Sequence, residues 1–324
     1  MSVRFFRRSL ALGLLAALGS TSLAGVHPVR ASAATPISIA IPAYFTDDAL
    51  WDKALSTPAV QYVIGHPLVP VAGQTYVADK ELAARLAQAK AKGKIALVYV
   101  TGGYDKVDWR VVADRIDTVL GAYPAAAGVF IDEINYDQCA KYSSLTKGAG
   151  SVKGVRARQA NKLIVLNPGA PLLNCYDGLA DGYVTLERAE KDIPAWVENV
   201  NLAGNVPFYS WMFTEASRPR IWQMIHSVSP ANAVAAVDSA MARNASVVYI
   251  TDDVMANPYD SLPSEEMFKA IVDRVTQYST GATPLPAVKQ LVVPKAASVG
   301  TTKKATTSKK TTRKAVVRRT TKKK

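Results

Sequence analysis

Histidine is nearly missing from this chain: three occur in 324 residues, at positions 27, 66 and 226. His27 falls inside an N-terminal stretch that reads as a removable leader, so only His66 and His226 remain for chemistry. A three-histidine metal site cannot be built from them. A two-histidine-plus-acid zinc site stays formally open, although His226 closes the run Ile221-Trp222-Gln223-Met224-Ile225, which reads as a helix. No Gly-x-Ser-x-Gly elbow is present, which argues against an esterase of the α/β-hydrolase kind. No phosphate-binding loop occurs either, and no cofactor is implied. There are two cysteines, Cys139 and Cys175. In an exported chain a disulfide between them is favoured over two free thiols.

Acidic residues are absent from both ends of the chain. Residues 1–33 carry Arg4, Arg7 and Arg8, then an apolar stretch from Leu10 to Leu23, then Ala31-Ser32-Ala33. These are the three parts of an export signal, and the apolar run is short for a membrane span. The expected location is therefore secreted, periplasmic or cell-surface, with no stable span once the signal is cleaved. At the other end, residues 286–324 form a Lys/Arg/Thr-rich segment, with eleven Lys or Arg in 301–324. Such a composition buries too little apolar surface to offset chain entropy, so disorder is expected. Between the two ends lie 22 bases and all 26 acids, a net charge of −4, whereas the whole chain carries +13. The basic character belongs to the tail, which would bind anionic polymers such as cell-envelope polymers or extracellular DNA by counterion release.

The central 34–285 segment has the length of one large α/β domain. Short Val-, Ile- and Tyr-rich runs recur at 37–41, 60–64, 94–100, 127–131, 162–166, 182–186, 206–211 and 246–250. Helical periodicity appears between several of them, at 78–92, 109–122 and 231–243. Gly148-Ala149-Gly150 follows no strand and reads as a loop. Eight strands with intervening helices predict a single (β/α)₈ TIM barrel. An open doubly wound sheet would carry a glycine-rich turn after the first strand, and Ile41-Pro42-Ala43-Tyr44 stands there instead.

Reactive groups of such barrels sit where strands end at the C-terminal rim. By that rule Asp132 and Glu133 follow strand four, Asn167 strand five and Glu187 strand six. Tyr44 and Tyr104 follow strands one and three, Tyr209 and Trp211 close strand seven, and Asp252 and Asp253 follow strand eight. The tyrosines and Trp211 offer flat faces for sugar rings, or they pack the core. Asp252 and Asp253 bind substrate or cap the following helix. Two adjacent acids after the apolar Val129-Phe130-Ile131 raise each other's proton affinity. Glycoside hydrolysis needs one carboxylic acid and one carboxylate. Asp132, Glu133 and Glu187 are thus the expected catalytic set, with Glu133 as the acid. Tyr44, Tyr104, Asn167, Tyr209, Trp211 and Asp252 are the expected substrate contacts.

Ile39-Ala40-Ile41-Pro42-Ala43-Tyr44, Val98-Tyr99-Val100-Thr101-Gly102-Gly103-Tyr104 and Gly128-Val129-Phe130-Ile131-Asp132-Glu133 resemble the spherulin-4-like family. Val165-Leu166-Asn167-Pro168-Gly169 and Glu187 extend the resemblance, in order, over most of 37–255. The family is grouped with glycoside hydrolase family 135, TIM-barrel enzymes that cleave α-1,4-linked N-acetylgalactosamine polymers. The resemblance implies that its Asp-Glu pair is Asp132-Glu133 and its later Glu is Glu187. Two departures stand out: Ile64-Gly65-His66-Pro67-Leu68 replaces an Asn-Pro-rich loop, and Leu186 replaces an aromatic residue before the Glu. The competing readings are a secreted barrel that binds polysaccharide without cleaving it, and a matrix or cell-surface protein acting through its tail.

Overall fold

A computed structural model describes residues 36–71, 73–104, 106–195 and 209–288. The expected export signal lies outside the described residues, as does the expected tail from 289 onward. The barrel strands are β1 (Ser38–Ala43), β2 (Val60–Gly65), β3 (Ile95–Thr101), β4 (Gly128–Asp132), β5 (Leu163–Leu166), β6 (Gly182–Ala189), β7 (Ile221–His226) and β8 (Val247–Ile250). Each pairs in parallel with the next, and β8 pairs with β1, so the barrel is closed. A parallel strand enclosed by helices is buried on both faces, which is why these segments read as continuous apolar runs. In β1 and β7 every residue is buried.

The described helices are α1 (Asp48–Ser56), α2 (Lys80–Ala91), α3 (Trp109–Ala122), α4 (Cys139–Lys147), α5 (Val155–Arg158), α6 (Ala233–Ala242) and α7 (Glu265–Ser279). Three begin on an aspartate. Asp47, Asp79 and Asp108 each accept backbone N–H bonds from the first turn of α1, α2 and α3. Those carboxylates satisfy donors that a helix start leaves unpaired. The apolar stripe of α3, including Val112, Ile116, Val119 and Leu120, is buried against the sheet.

The strand expected at 206–211 is a correction. Residues 206–208 lie outside the described set, and Ser210–Phe213 is a 3-10 turn. The seventh strand is instead Ile221–His226, the run expected to be helical. A short apolar run has no periodicity that separates strand from helix, and six residues bounded by Arg218-Pro219-Arg220 is strand length. The Gly148-Ala149-Gly150 loop carries a small antiparallel ribbon, Gly148–Ala149 against Val152–Lys153. Between Val184 and Leu186 the register of β6 against β7 slips by one residue. The strand runs on past its expected end, so Glu187 lies inside β6 rather than after it.

Candidate active site

The strand register brings the acids to one level. Thr101 pairs with Asp132 across β3 and β4, and the Asn167 N–H donates to the Ile131 carbonyl at 2.8 Å. Asn167 is 2 % exposed, and its amide orientation is set by its own turn: Oδ1 accepts the Gly169 N–H at 2.9 Å. The Nδ2 group then faces the acids and donates to Asp132 Oδ1 at 2.8 Å and to Glu187 Oε2 at 2.5 Å. Those two oxygens therefore lie no farther apart than the two bonds laid end to end. Gly169 is left-handed at φ +58°, and a Cβ there would meet the Glu187 Cβ at 3.2 Å. Only glycine allows this approach without strain.

Asp132 Oδ1 also accepts the Glu133 N–H at 2.7 Å. Burial, followed by the neighbouring Glu187 charge, pushes the Asp132 carboxyl up to about 7, against the opposing bonds from Glu133 N–H and the Tyr99 hydroxyl. The Tyr259 hydroxyl donates to Glu187 Oε1. Glu133 turns away from this pair and accepts from the Thr101 hydroxyl. Its backbone is left-handed, φ +54°, as is that of Tyr104, φ +49°. The Tyr104 N–H donates to the Glu133 carbonyl at 2.6 Å and the Gly102 N–H to the Asp132 carbonyl at 2.7 Å. Non-glycine residues adopt this conformation only where surrounding bonds hold them, and such places cluster at functional sites.

These acids line a cavity of about 760 Å³ at the C-terminal rim, together with Tyr44, Tyr104 and Asn167. Tyr99, Tyr259, His66, His226, Arg188 and the 255–258 loop also line it, and none of these was among the expected catalytic or substrate-contact residues. Tyr44 packs edge-on against Tyr99 at 6.0 Å and Tyr259 at 5.7 Å, with His66 4.8 Å away. Burial raises the Tyr44 and Tyr259 hydroxyls, and the carboxylates raise them further, so both stay protonated as donors. Burial lowers His66 and His226 below their ordinary range, which makes both neutral at pH 7. Alternation along β3 was the available signal for Tyr99. Nothing local marked Tyr259, which follows an irregular eight-residue path, 251–258, after β8.

Three expected substrate contacts do not line the cavity. Trp211 is buried, its indole N–H donates to the Leu172 carbonyl at 2.9 Å, and its ring meets Tyr183 at 5.0 Å. Tyr209 is half-buried beside it, before the 3-10 turn. Asp252 accepts the Ser264 N–H at 3.1 Å, next to the start of α7, so its structural use is the observed one. Asp253 accepts the Val254 N–H and the Ser261 hydroxyl. Cys139 and Cys175 form a disulfide with Cα atoms 5.9 Å apart, as expected. No described helix is long and apolar enough to cross a membrane.

Comparison with known proteins agrees with this architecture. Spherulin-4 of Physarum polycephalum is 23 % identical over 244 residues, covering 72 % of this chain and 69 % of that protein. The crystal structure of Aspergillus clavatus Sph3 in complex with GalNAc superposes with a TM-score of 0.55 at 21 % identity, over 75 % of this chain and 98 % of that one. The model of the spherulation-specific family 4 matches residues 38–275, from the first strand of the barrel into its last helix, and the chain belongs to that family.

Proposed function

We propose that this protein is a secreted glycoside hydrolase that cleaves an amino-sugar polysaccharide of the α-1,4-linked N-acetylgalactosamine or galactosamine type. The observation that carries the reading is the Asn167 amide donating to Asp132 and Glu187 at once, with the Asp132 proton retained to about pH 7. A glycosidase needs one protonated and one ionised carboxyl across the scissile bond. Close spacing supports a retaining course, for which carboxyls stand about 5–5.5 Å apart, over an inverting course at about 6.5–9.5 Å.

In this scheme Asp132, rather than Glu133, gives its proton to the leaving glycosidic oxygen. Glu187 bonds the anomeric carbon as the C–O bond breaks. Water then attacks that carbon, Asp132 takes its proton, and Glu187 is released as carboxylate. Tyr259 and Asn167 hold Glu187 in place, while Glu133, held by Thr101, meets a sugar hydroxyl or amine. Tyr44 and Tyr104 contact the sugar. The amino-sugar class is carried over from the GalNAc held by Sph3 and from the family. The disulfide and the leader-like residues 1–33 support secretion. The basic residues 301–324 would retain the enzyme on an anionic polymer.

The test is reducing-sugar release from a partly deacetylated α-1,4-galactosamine polymer. Asp132→Asn and Glu187→Gln should each lower kcat by roughly 10²–10⁴-fold, and Glu133→Gln should lower it less. Full activity in all three variants would end the proposal. Retention of the polymer without any cleavage would identify a binding barrel instead.

A further inference from the structure

Outside the carboxylate cavity, three rim segments are stitched into one unit. The first is the loop before α4, the second the turn Asn174–Tyr176 after β5, and the third the turn that begins at Tyr209. The Tyr176 hydroxyl donates to the Asn135 carbonyl, and Cys139 is bonded to Cys175. Trp211 N–H and the Ser210 hydroxyl both donate to Asn174 Oδ1, at 3.3 and 3.5 Å. The first and third segments each present a tyrosine. Tyr136 is 46 % exposed, and Tyr209 is half-buried. The Asn174–Tyr176 turn is bonded to both neighbours, so it holds the segment carrying Tyr209 beside the segment carrying Tyr136. Lys141 of α4 donates to the Tyr104 carbonyl, which ties this unit to the cavity mouth, where Tyr104 is 49 % exposed.

We propose that Tyr136 and Tyr209 form a second sugar-binding platform on the rim, outside the cleavage cavity, that takes a remote residue of the polymer and makes the enzyme favour long chains. Tyrosine suits the task because it offers a broad amphipathic ring at low entropic expense, and a segment already tied in place loses less on binding. The disulfide serves the platform by fixing the first segment to the second. The proposal rests on the hydrolytic reading for its occupant.

Its test compares the polymer with the shortest oligomer that the enzyme cleaves. Tyr136→Ala should lower kcat/KM on the polymer about tenfold and leave the short oligomer unchanged, a factor that one stacking contact of about 1.4 kcal/mol supplies. Tyr136→Phe keeps the ring and should keep the wild-type preference. Equal losses on both substrates, or no loss on the polymer, would overturn the platform while leaving hydrolysis intact. If wild-type protein cleaves neither, the hydrolytic reading fails, and polymer retention on an affinity gel decides the platform alone. Weaker retention of Tyr136→Ala than of wild type would then support it, and equal retention, or none by either, would overturn it.

Discussion

Replacing Asp132 by Asn removes a charge that the barrel holds at a loss. Burial and Glu187 lift this carboxyl from its ordinary 3.8 to about 7. At about 1.36 kcal/mol per tenfold change in proton affinity, ionised Asp132 destabilises the folded state by about 4 kcal/mol. Between those two pH values the folded chain binds more protons than the unfolded one, so its stability falls as pH rises through that window. The amide in Asp132→Asn has no proton to lose, and its oxygen can still accept from Asn167 and the Glu133 N–H. Allowing for an imperfect new contact with Tyr99, the variant should gain roughly 2–3 kcal/mol at pH 7.5 and almost nothing at pH 4. For a domain of this size, that gain raises Tm by about 5–10 °C. Thermal melts of both proteins at half-unit steps from pH 4 to 8 are the assay. A gap that stays constant across the series, or a variant less stable at pH 7.5, would refute the account of Asp132. The same variant should lose activity, so stability and catalysis would move in opposite directions.

Three more expectations are read by other assays. With Asp132 as the acid, kcat/KM should hold below about pH 7 and fall as pH climbs through it, read from a full pH–rate profile. Gly169→Ala should destabilise by about 1–2 kcal/mol for the left-handed backbone, and the Cβ pressing on Glu187 should lower kcat about tenfold or more with little change in the circular dichroism spectrum. Replacing Cys139 and Cys175 by Ser opens a loop of sequence separation 36 and should lower stability by about 4 kcal/mol in chemical denaturation.

Most of the barrel, seven of its eight strands, was readable along the chain because burial on both faces forces apolar runs. The exception, Ile221–His226, is equally apolar, and its state is decided by the neighbours it pairs with. That single misplacement also hid His226, which lines the cavity as a strand residue. That Asp132, Glu133 and Glu187 line one cavity was readable because a carboxylate beside a largely apolar run is costly to leave unexplained. The partition between them was not, because adjacency in sequence suggested that Glu133 and Asp132 share one environment. The left-handed turn at Glu133 separates them, and Asp132 is paired with Glu187 from two strands away. Tyr99, Tyr259 and His66 converge only when the barrel closes, and no local pattern announces that. Trp211 and Asp252 were drawn in by position along the chain, whereas their hydrogen bonds go to Leu172 and Ser264.

The residue after Asn167 has a bearing on how long the site survives. Asparagine side chains age by losing ammonia when the backbone nitrogen of the next residue attacks the amide carbon and closes a five-membered ring. Here the next residue is Pro168, whose nitrogen carries no hydrogen and cannot complete that ring closure. Conversion of Asn167 to aspartate would put a third carboxylate between Asp132 and Glu187, replace a donor by an acceptor, and drive the pair apart. The proline closes the main chemical route to that outcome, so the amide at the centre of the cavity is protected by covalent structure as well as by burial.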